Sequence, residues 1–316
     1  MGSHSHHHSH FSFAHLSEDK NHLKRLAAYA SVGVSFLLIG AKTYACYSTH
    51  SISLLSSLAD SVLDFAASMI NMVAIHLAVK PADEEHKFGH GKIEALAALF
   101  QSIIIILSAA FVLKEAVHRF FNPEALEKPL IGVFVTLFSI VLTLFLVRFQ
   151  RYVIRKTKSM AIMADSTHYK ADLYLNLGVL LSIGAYFFLK WTYIDIIFGT
   201  GIALYIMFTT YHIIRSALNV LLDNELPLPD RQHILKIIQS HPEVEKCCHL
   251  KTRSSGQEEF IQGHLVMHKN ITVEKAYHIA NDIKKQVLST YPQAQCVFQI
   301  QPHNHGKDQN DVCCES

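Results

Sequence analysis

Six stretches of the chain are almost wholly apolar, each about 20 residues long, and short polar segments separate them. That length is what a helix needs to cross the hydrocarbon core of a bilayer. The pattern therefore predicts transmembrane helices over roughly Leu26–Tyr47, Ser53–Val79, Ile93–Val117, Leu130–Val147, Ala171–Leu189 and Ile194–Ile214. None has the form of a cleaved signal peptide. After about Asn224 the pattern changes to charged, turn-punctuated sequence. Here "DRQHILKIIQS" and "TVEKAYHIANDIKKQVLSTY" have helical periodicity, whereas "KCCHLKTR", "EEFIQGHLVMHK" and "AQCVFQIQP" read as strands. The order α-β-β-α-β predicts a small α+β domain. The expected organisation is a leader over 1–23, a membrane domain over 24–223, a soluble domain over 224–302 and a polar tail over 303–316.

Composition agrees with a membrane protein: half of the 316 residues are hydrophobic and only 17% are charged. Positive charge orients the spans. Lys20, Lys24 and Arg25 precede the first, Lys80, Lys87 and Lys92 lie between the second and third, and Arg148, Arg151, Arg155, Lys156 and Lys158 lie between the fourth and fifth. These segments are expected to face the cytoplasm, with both termini there too. The six cysteines, Cys46, Cys247, Cys248, Cys296, Cys313 and Cys314, would then be mostly reduced, as soft ligands or small hydrophobes. Nothing in the pattern calls for a nucleic-acid partner. The broken histidine run in "MGSHSHHHSHFSFAH" reads either as a metal-collecting arm or as a disordered leader.

Against this apolar background four polar residues stand out. Asp60 and Asp64 in "ADSVLDFAAS" are separated by one helical turn, as are His168 and Asp172 in "ADSTHYKADLYLN". An ionised aspartate at the centre of a span costs roughly 2.5–3.5 kcal/mol on the insertion scale, so the set needs compensation. A divalent cation supplies it: two helices with two ligands each can close a tetrahedron of three carboxylates and one imidazole around Zn2+. Cd2+ and Fe2+ also accept mixed oxygen and nitrogen ligands. A protonated aspartate bonded to a neighbouring helix, or a water-filled vestibule, are the other uses of such residues. In "PADEEHKFGHGK", Asp83, His86 and His90 can converge on one ion, with Pro81 ending a helix and Gly89 and Gly91 permitting a tight turn.

These three motifs, in this order on six spans with a C-terminal soluble domain, closely resemble the bacterial cation diffusion facilitator family, in particular its zinc/iron efflux branch. The resemblance runs from about Lys24 to Pro302. It implies a homodimeric antiporter of the inner membrane that exchanges divalent metal for protons, with Asp60, Asp64, His168 and Asp172 as the transport site. It also implies a second zinc site at Asp83, His86 and His90. The C-terminal domain resembles the family's ferredoxin-like cytoplasmic domain, which dimerises and binds two zinc ions.

In that domain His264 and His278 match family ligands and Cys248 stands where a histidine is usual, with His249 beside it. Gln299 and Gln301 replace a histidine and a bridging aspartate, so an anionic bridge is missing. The resemblance leaves either one ion on Cys248, His264 and His278, or dimerisation by protein contacts. Lys92 and Asp223 match a pair of opposite charges that clamps the two subunits. From the residues alone, a membrane metalloenzyme or a metal-gated channel or sensor are the alternatives; the filled tetrahedron and the lack of an HExxH motif weigh against the enzyme.

Overall fold

The computed structural model describes residues 8–49, 52–121, 130–189, 194–256 and 258–303. Among them six long helices come first: α1 (His8–Thr49), α2 (Ile52–Ala78), α3 (Lys92–Phe121), α4 (Leu130–Thr157), α5 (Met160–Leu189) and α6 (Ile194–Leu221). They are followed by α7 (Leu228–Gln239), β1 (Val244–Ser254), β2 (Glu259–Met267), α8 (Val273–Thr290) and β3 (Gln295–Pro302). The chain divides into two compact units, Met1–Leu218 and Asn219–Ser316.

Several helices outrun the apolar stretches that announced them. Helix α1 begins at His8, within the stretch expected to be a leader, and α5 begins at Met160 rather than Ala171. Hydrophobicity marks only the part of a helix that meets lipid, whereas backbone hydrogen bonding continues into polar surroundings. Five of the six, α1, α2, α3, α4 and α6, are apolar and long enough over their described residues to cross a membrane. Helix α5 carries Asp165, Lys170 and Asp172 in its first half.

Small residues bring the helices together. Ala27 and Ala28 of α1, Ala74 and Ile75 of α2, Ala97 of α3, Val153 of α4 and Ala161 and Ile162 of α5 form one buried cluster. Alanine at these positions lets helix backbones approach closely where no hydrophobic effect drives association. Helix α6 joins through Ala203 and Ile206, packed with Ile105 and Ala109 of α3 and Ala171 of α5. At Gly178 of α5 a Cβ would lie 3.1 Å from Ile202 Cδ1, so glycine permits the close approach of α6. Leu63, Phe111, Phe134, Phe145 and Phe208 are exposed on the outside of the unit, as a lipid-facing surface requires.

The interior is also held by polar contacts. Lys24 donates to Glu94 Oε1 at 2.6 Å, both side chains being 5% exposed, and Ser159 Oγ donates to Glu94 Oε2 at 2.5 Å. Lys24 thus joins α1, α3 and the start of α5, in contrast to the flanking lysine that its position suggested. Removing either charge strands the other and costs about 3–5 kcal/mol.

In the second unit the sheet has strand order β1-β2-β3, with β1 and β2 antiparallel and β2 and β3 parallel. This is the α-β-β-α-β arrangement that the periodicity predicts. Ile261, Leu265 and Met267 of β2 face Ile234 and Ile238 of α7 and Ile279, Ile283 and Val287 of α8. Thr272 caps α8 by accepting from the Lys275 amide at 3.2 Å. Cys247 and Cys296 are free thiols in this core, and burial pushes Cys296 up to about 11, so both act as small hydrophobes.

Candidate metal centre

Helix α2 presents Asp60 and Asp64 one turn apart, and α5 presents His168 and Asp172 with the same spacing. Packing rotates the helices so that three of the four meet. His168 Nε2 lies 2.8 Å from Asp64 Oδ1 and 3.6 Å from Asp172 Oδ2, and one ligating atom from each residue lies within 4.8 Å of the other two. His168 is buried, and Asp64 and Asp172 are half-buried. Asp60, one turn nearer the start of α2, is exposed and does not join this cluster.

His168 Nε2 and Asp64 Oδ1 are within hydrogen-bond distance, so this ring nitrogen is the one turned towards the carboxylates of the cluster. The same nitrogen lone pair is the one that would bind a metal. A metal and a proton would compete for this atom.

Beside the cluster lies a buried network that the charge pattern alone did not single out. Asp165, one turn before His168 on α5, accepts from Ser31 Oγ at 2.6 Å and from Gln150 Nε2 at 2.8 Å. Tyr169 OH donates to the Ser31 carbonyl at 3.1 Å and shares a 2.8 Å hydrogen bond with Ser68 Oγ. The network joins α1, α2, α4 and α5 around the back of His168. A second residue without a forecast role is Lys42 of α1, whose Nζ donates to the Ser57 carbonyl at 3.0 Å and to Ser61 Oγ at 2.6 Å, both on α2. An intramembrane charge is itself the signal that would have found Asp165 and Lys42.

The loop between α2 and α3 folds on itself. Asp83 Oδ1 accepts from the backbone amides of Glu85 at 3.1 Å and His86 at 2.6 Å, and lies 3.2 Å from His86 Nδ1. Its other oxygen is 3.3 Å from His90 Nε2. Gly89 takes φ +74, a left-handed conformation that a side chain would strain, and the reversal brings the His86 and His90 rings together, tilted by 42° with centroids 4.5 Å apart. The other glycine expected to shape this turn, Gly91, has no positive φ. The His86 amide, and secondarily its ring, hold the Asp83 carboxyl below the usual range. His90 Nδ1 is buried without a hydrogen-bond partner. Asp83, His86 and His90 form the second convergent group of possible ligands among the described residues.

Cys248, His264 and His278 do not form a third. Cys248 and His264 are paired across β1 and β2, and Gln299 pairs with His264 from β3. Helix α8 instead packs its Ala276, Ile279, Ile283 and Val287 side into the core on the face bearing Leu265, leaving His278 exposed. Within one chain His278 is therefore on the other side of the sheet from His264. Cys248 is itself buried in the sheet. The ring near His264 is that of His249, with centroids 5.1 Å apart, which a φ of 51 at His249 makes possible by breaking the strand register. Asp223 pairs with Arg253 at 2.9 Å, and Lys92 is the first residue of α3.

Comparison with known proteins gives consistent matches. The family model described as the cation efflux transmembrane domain matches residues 28–222, and that of the cation efflux protein, cytoplasmic domain, matches residues 226–303. The cation-efflux pump FieF of Cronobacter sakazakii is 38% identical over 290 residues, spanning 91% of this chain and 95% of that protein. The cation-efflux pump FieF of Klebsiella pneumoniae is 37% identical over 287 residues, with the same two shares. A solved structure of CzrB in its Zn form is 24% identical over 27% of this chain and 99% of its own, with a TM-score of 0.26.

Proposed function

This chain belongs to the cation efflux family, and from that premise we propose that it moves Zn2+ out of the cytoplasm in exchange for protons, with Asp60, Asp64, His168 and Asp172 as the transport site. The observation that carries the reading is the meeting of Asp64, His168 and Asp172 from two helices in the polar centre of an otherwise apolar unit. A metal arriving there displaces the proton on His168 Nε2 and takes oxygens from Asp64 and Asp172. Asp60, exposed one turn away on α2, supplies the fourth ligand.

Proton exchange follows from the ligands themselves. Each must be deprotonated to bind, so a more acidic exterior favours release and a less acidic cytoplasm favours loading. Alternating access of a site between α2 and α5 requires the helices carrying it to rock against their neighbours. Cd2+ and Fe2+ are accepted by the same donor set, whereas hard ions gain less from the imidazole.

The inner membrane, cytoplasmic termini and a homodimer joined through the C-terminal domain belong to the same reading. Lys92 and Asp223 are its opposite-charge pair between subunits. The loop at Asp83, His86 and His90 binds a second ion that modulates transport. Its unpartnered His90 nitrogen and convergent Asp83 oxygens support this.

Flux measured in liposomes separates this function from a metalloenzyme or a channel. The expected result is saturable Zn2+ movement that is accelerated by an opposing proton gradient and moves protons the other way. Flux without proton movement, or flux that does not saturate, would overturn it.

A further inference from the structure

Lys42 lies on α1 among apolar residues that include Phe36, Leu37 and Leu38, so it needs a reason to be charged there. A lysine near a helix end commonly extends to the membrane surface. Lys42 instead turns to α2, where its ammonium is fixed by the Ser57 carbonyl at 3.0 Å and by the hydroxyl of the buried Ser61 at 2.6 Å. Ser57, Ser61 and Asp64 follow one another at helical spacing, with Asp60 beside Ser61, so the ammonium is held on the acid-bearing side of α2. Asp60 and Asp64 stand on the same helix as its two anchors, and Asp172 of α5 belongs to the cluster that Asp64 joins.

We propose that Lys42 is a tethered counter-cation of the transport site, which competes with the metal for the same three carboxylates and so limits how tightly the ion is held and speeds its release. The proposal rests on the transport-site reading above.

Charge balance gives the physical reason. Three carboxylates, one ammonium and one divalent cation sum to no net charge, with His168 neutral as a ligand. Without Lys42 the loaded site keeps a negative charge and the ion loses a close repulsive neighbour in a medium of low dielectric constant. A site that binds its cargo too tightly does not turn over. A fixed cation also moderates repulsion among the acids when the metal has left, so the empty carrier can return. Ser61 and Ser57 serve as the anchor that keeps the ammonium near the acids without letting it enter the ligand shell.

The test uses the full-length protein carrying Asp83→Ala, so that the loop does not add a second binding event. Zn2+ is titrated calorimetrically at pH 8 into this protein and into versions with Lys42→Met, Lys42→Gln, Lys42→Arg or Asp172→Ala, and the same proteins are assayed for flux in liposomes. Loss of the charge in Lys42→Met and Lys42→Gln is expected to tighten Zn2+ binding by about tenfold or more and to lower the maximal flux, with KM falling as well. Lys42→Arg is expected to retain affinity and rate within a few-fold, since it keeps the charge.

A lysine needed only for packing predicts the opposite sign, because disorder at the site loosens the metal. Unchanged or weaker binding in both neutral variants, while Lys42→Arg and the parent protein bind and Asp172→Ala does not, overturns the role of Lys42 alone. Parent protein that does not bind Zn2+, or Asp172→Ala that binds as the parent does, removes the transport site and this proposal with it.

Discussion

The two Asp and His clusters of this protein use the same side chains in opposite settings. In the loop, Asp83, His86 and His90 lie within eight residues of one another, and Asp83 and His86 are more than half exposed. In the membrane unit, Asp64 and His168 come from helices far apart in sequence, and His168 is only 8% exposed. A turn with one left-handed glycine is enough to assemble the first. The second exists only when α2 and α5 are packed in a particular rotation. An ion bound in the loop would therefore order a local turn, whereas an ion bound between α2 and α5 would act on the relative placement of two helices. Direct coupling of binding to a rocking motion would be open to the inter-helix cluster, whose ligands come from two helices.

Removal of a ligand should separate them most sharply. Asp172→Ala should lower Zn2+ flux by at least about a hundredfold while leaving a folded protein, since even the loss of an outer partner of a metal ligand costs 10–100-fold. Reconstituted flux, with gel filtration as the check on folding, measures it. Wild-type rates from the purified variant would show that the inter-helix cluster is not the transport site.

A smaller but more specific effect is expected from His168→Asp. The change keeps a ligand one turn from Asp172 but removes the only nitrogen in the set. Preference should move several-fold from Zn2+ towards Mn2+, because harder ions favour all-oxygen sites. The pH profile should change with it, since the imidazole is the donor whose ordinary pKa lies nearest neutrality. Competition flux with both ions over a range of pH gives both readouts, and an unchanged Zn2+/Mn2+ ratio in an active variant would remove His168 as the source of selectivity.

In the loop, Asp83→Ala should abolish local ion binding yet alter maximal flux by less than about threefold, because its ligands lie on a separate turn. The turn itself has a predictable pH dependence. The carboxyl of Asp83 is depressed in the folded loop by the His86 amide, so its contribution is complete above the ordinary carboxylate range of about 4 and is lost only as pH falls through the lower, folded value. Hydrogen exchange of the His86 amide should stay slow to below pH 4 in the parent protein and be fast throughout in Asp83→Ala. The smallest effect belongs to the leader: deletion of residues 2–15 should leave maximal flux unchanged, with any change confined to apparent affinity at limiting metal. A fall in maximal rate would mean that the helix beginning at His8 contributes to the carrier itself.

Much of the architecture was legible from the chain because it depends on local rules. Apolar runs of membrane-spanning length identified the helices, and alternation between periods of 3.6 and 2 identified the order of the soluble domain. Helical spacing placed Asp60 with Asp64 and His168 with Asp172, since residues four apart share a face whatever the helix packs against. The Asp83 cluster was legible for the same reason, its candidate ligands being neighbours in sequence.

What local spacing leaves open is how far one helix is turned about its axis relative to the next. Packing of Ala27, Ala28, Ala74 and Ala161 decides that, and with it the fact that Asp64 rather than Asp60 meets His168. The same packing buries Asp165 against Ser31 and Gln150, closes Lys24 on Glu94 and turns Lys42 towards α2. In the soluble unit the helices cover one face of the sheet, which puts His278 and His264 on opposite sides although both had matched one metal site. Sequence by itself nominated the candidate ligands and determined which of them share an element. Only the tertiary structure decided which of them meet, because each meeting joins side chains from separate elements, and their distance is set by the packing of every residue between them.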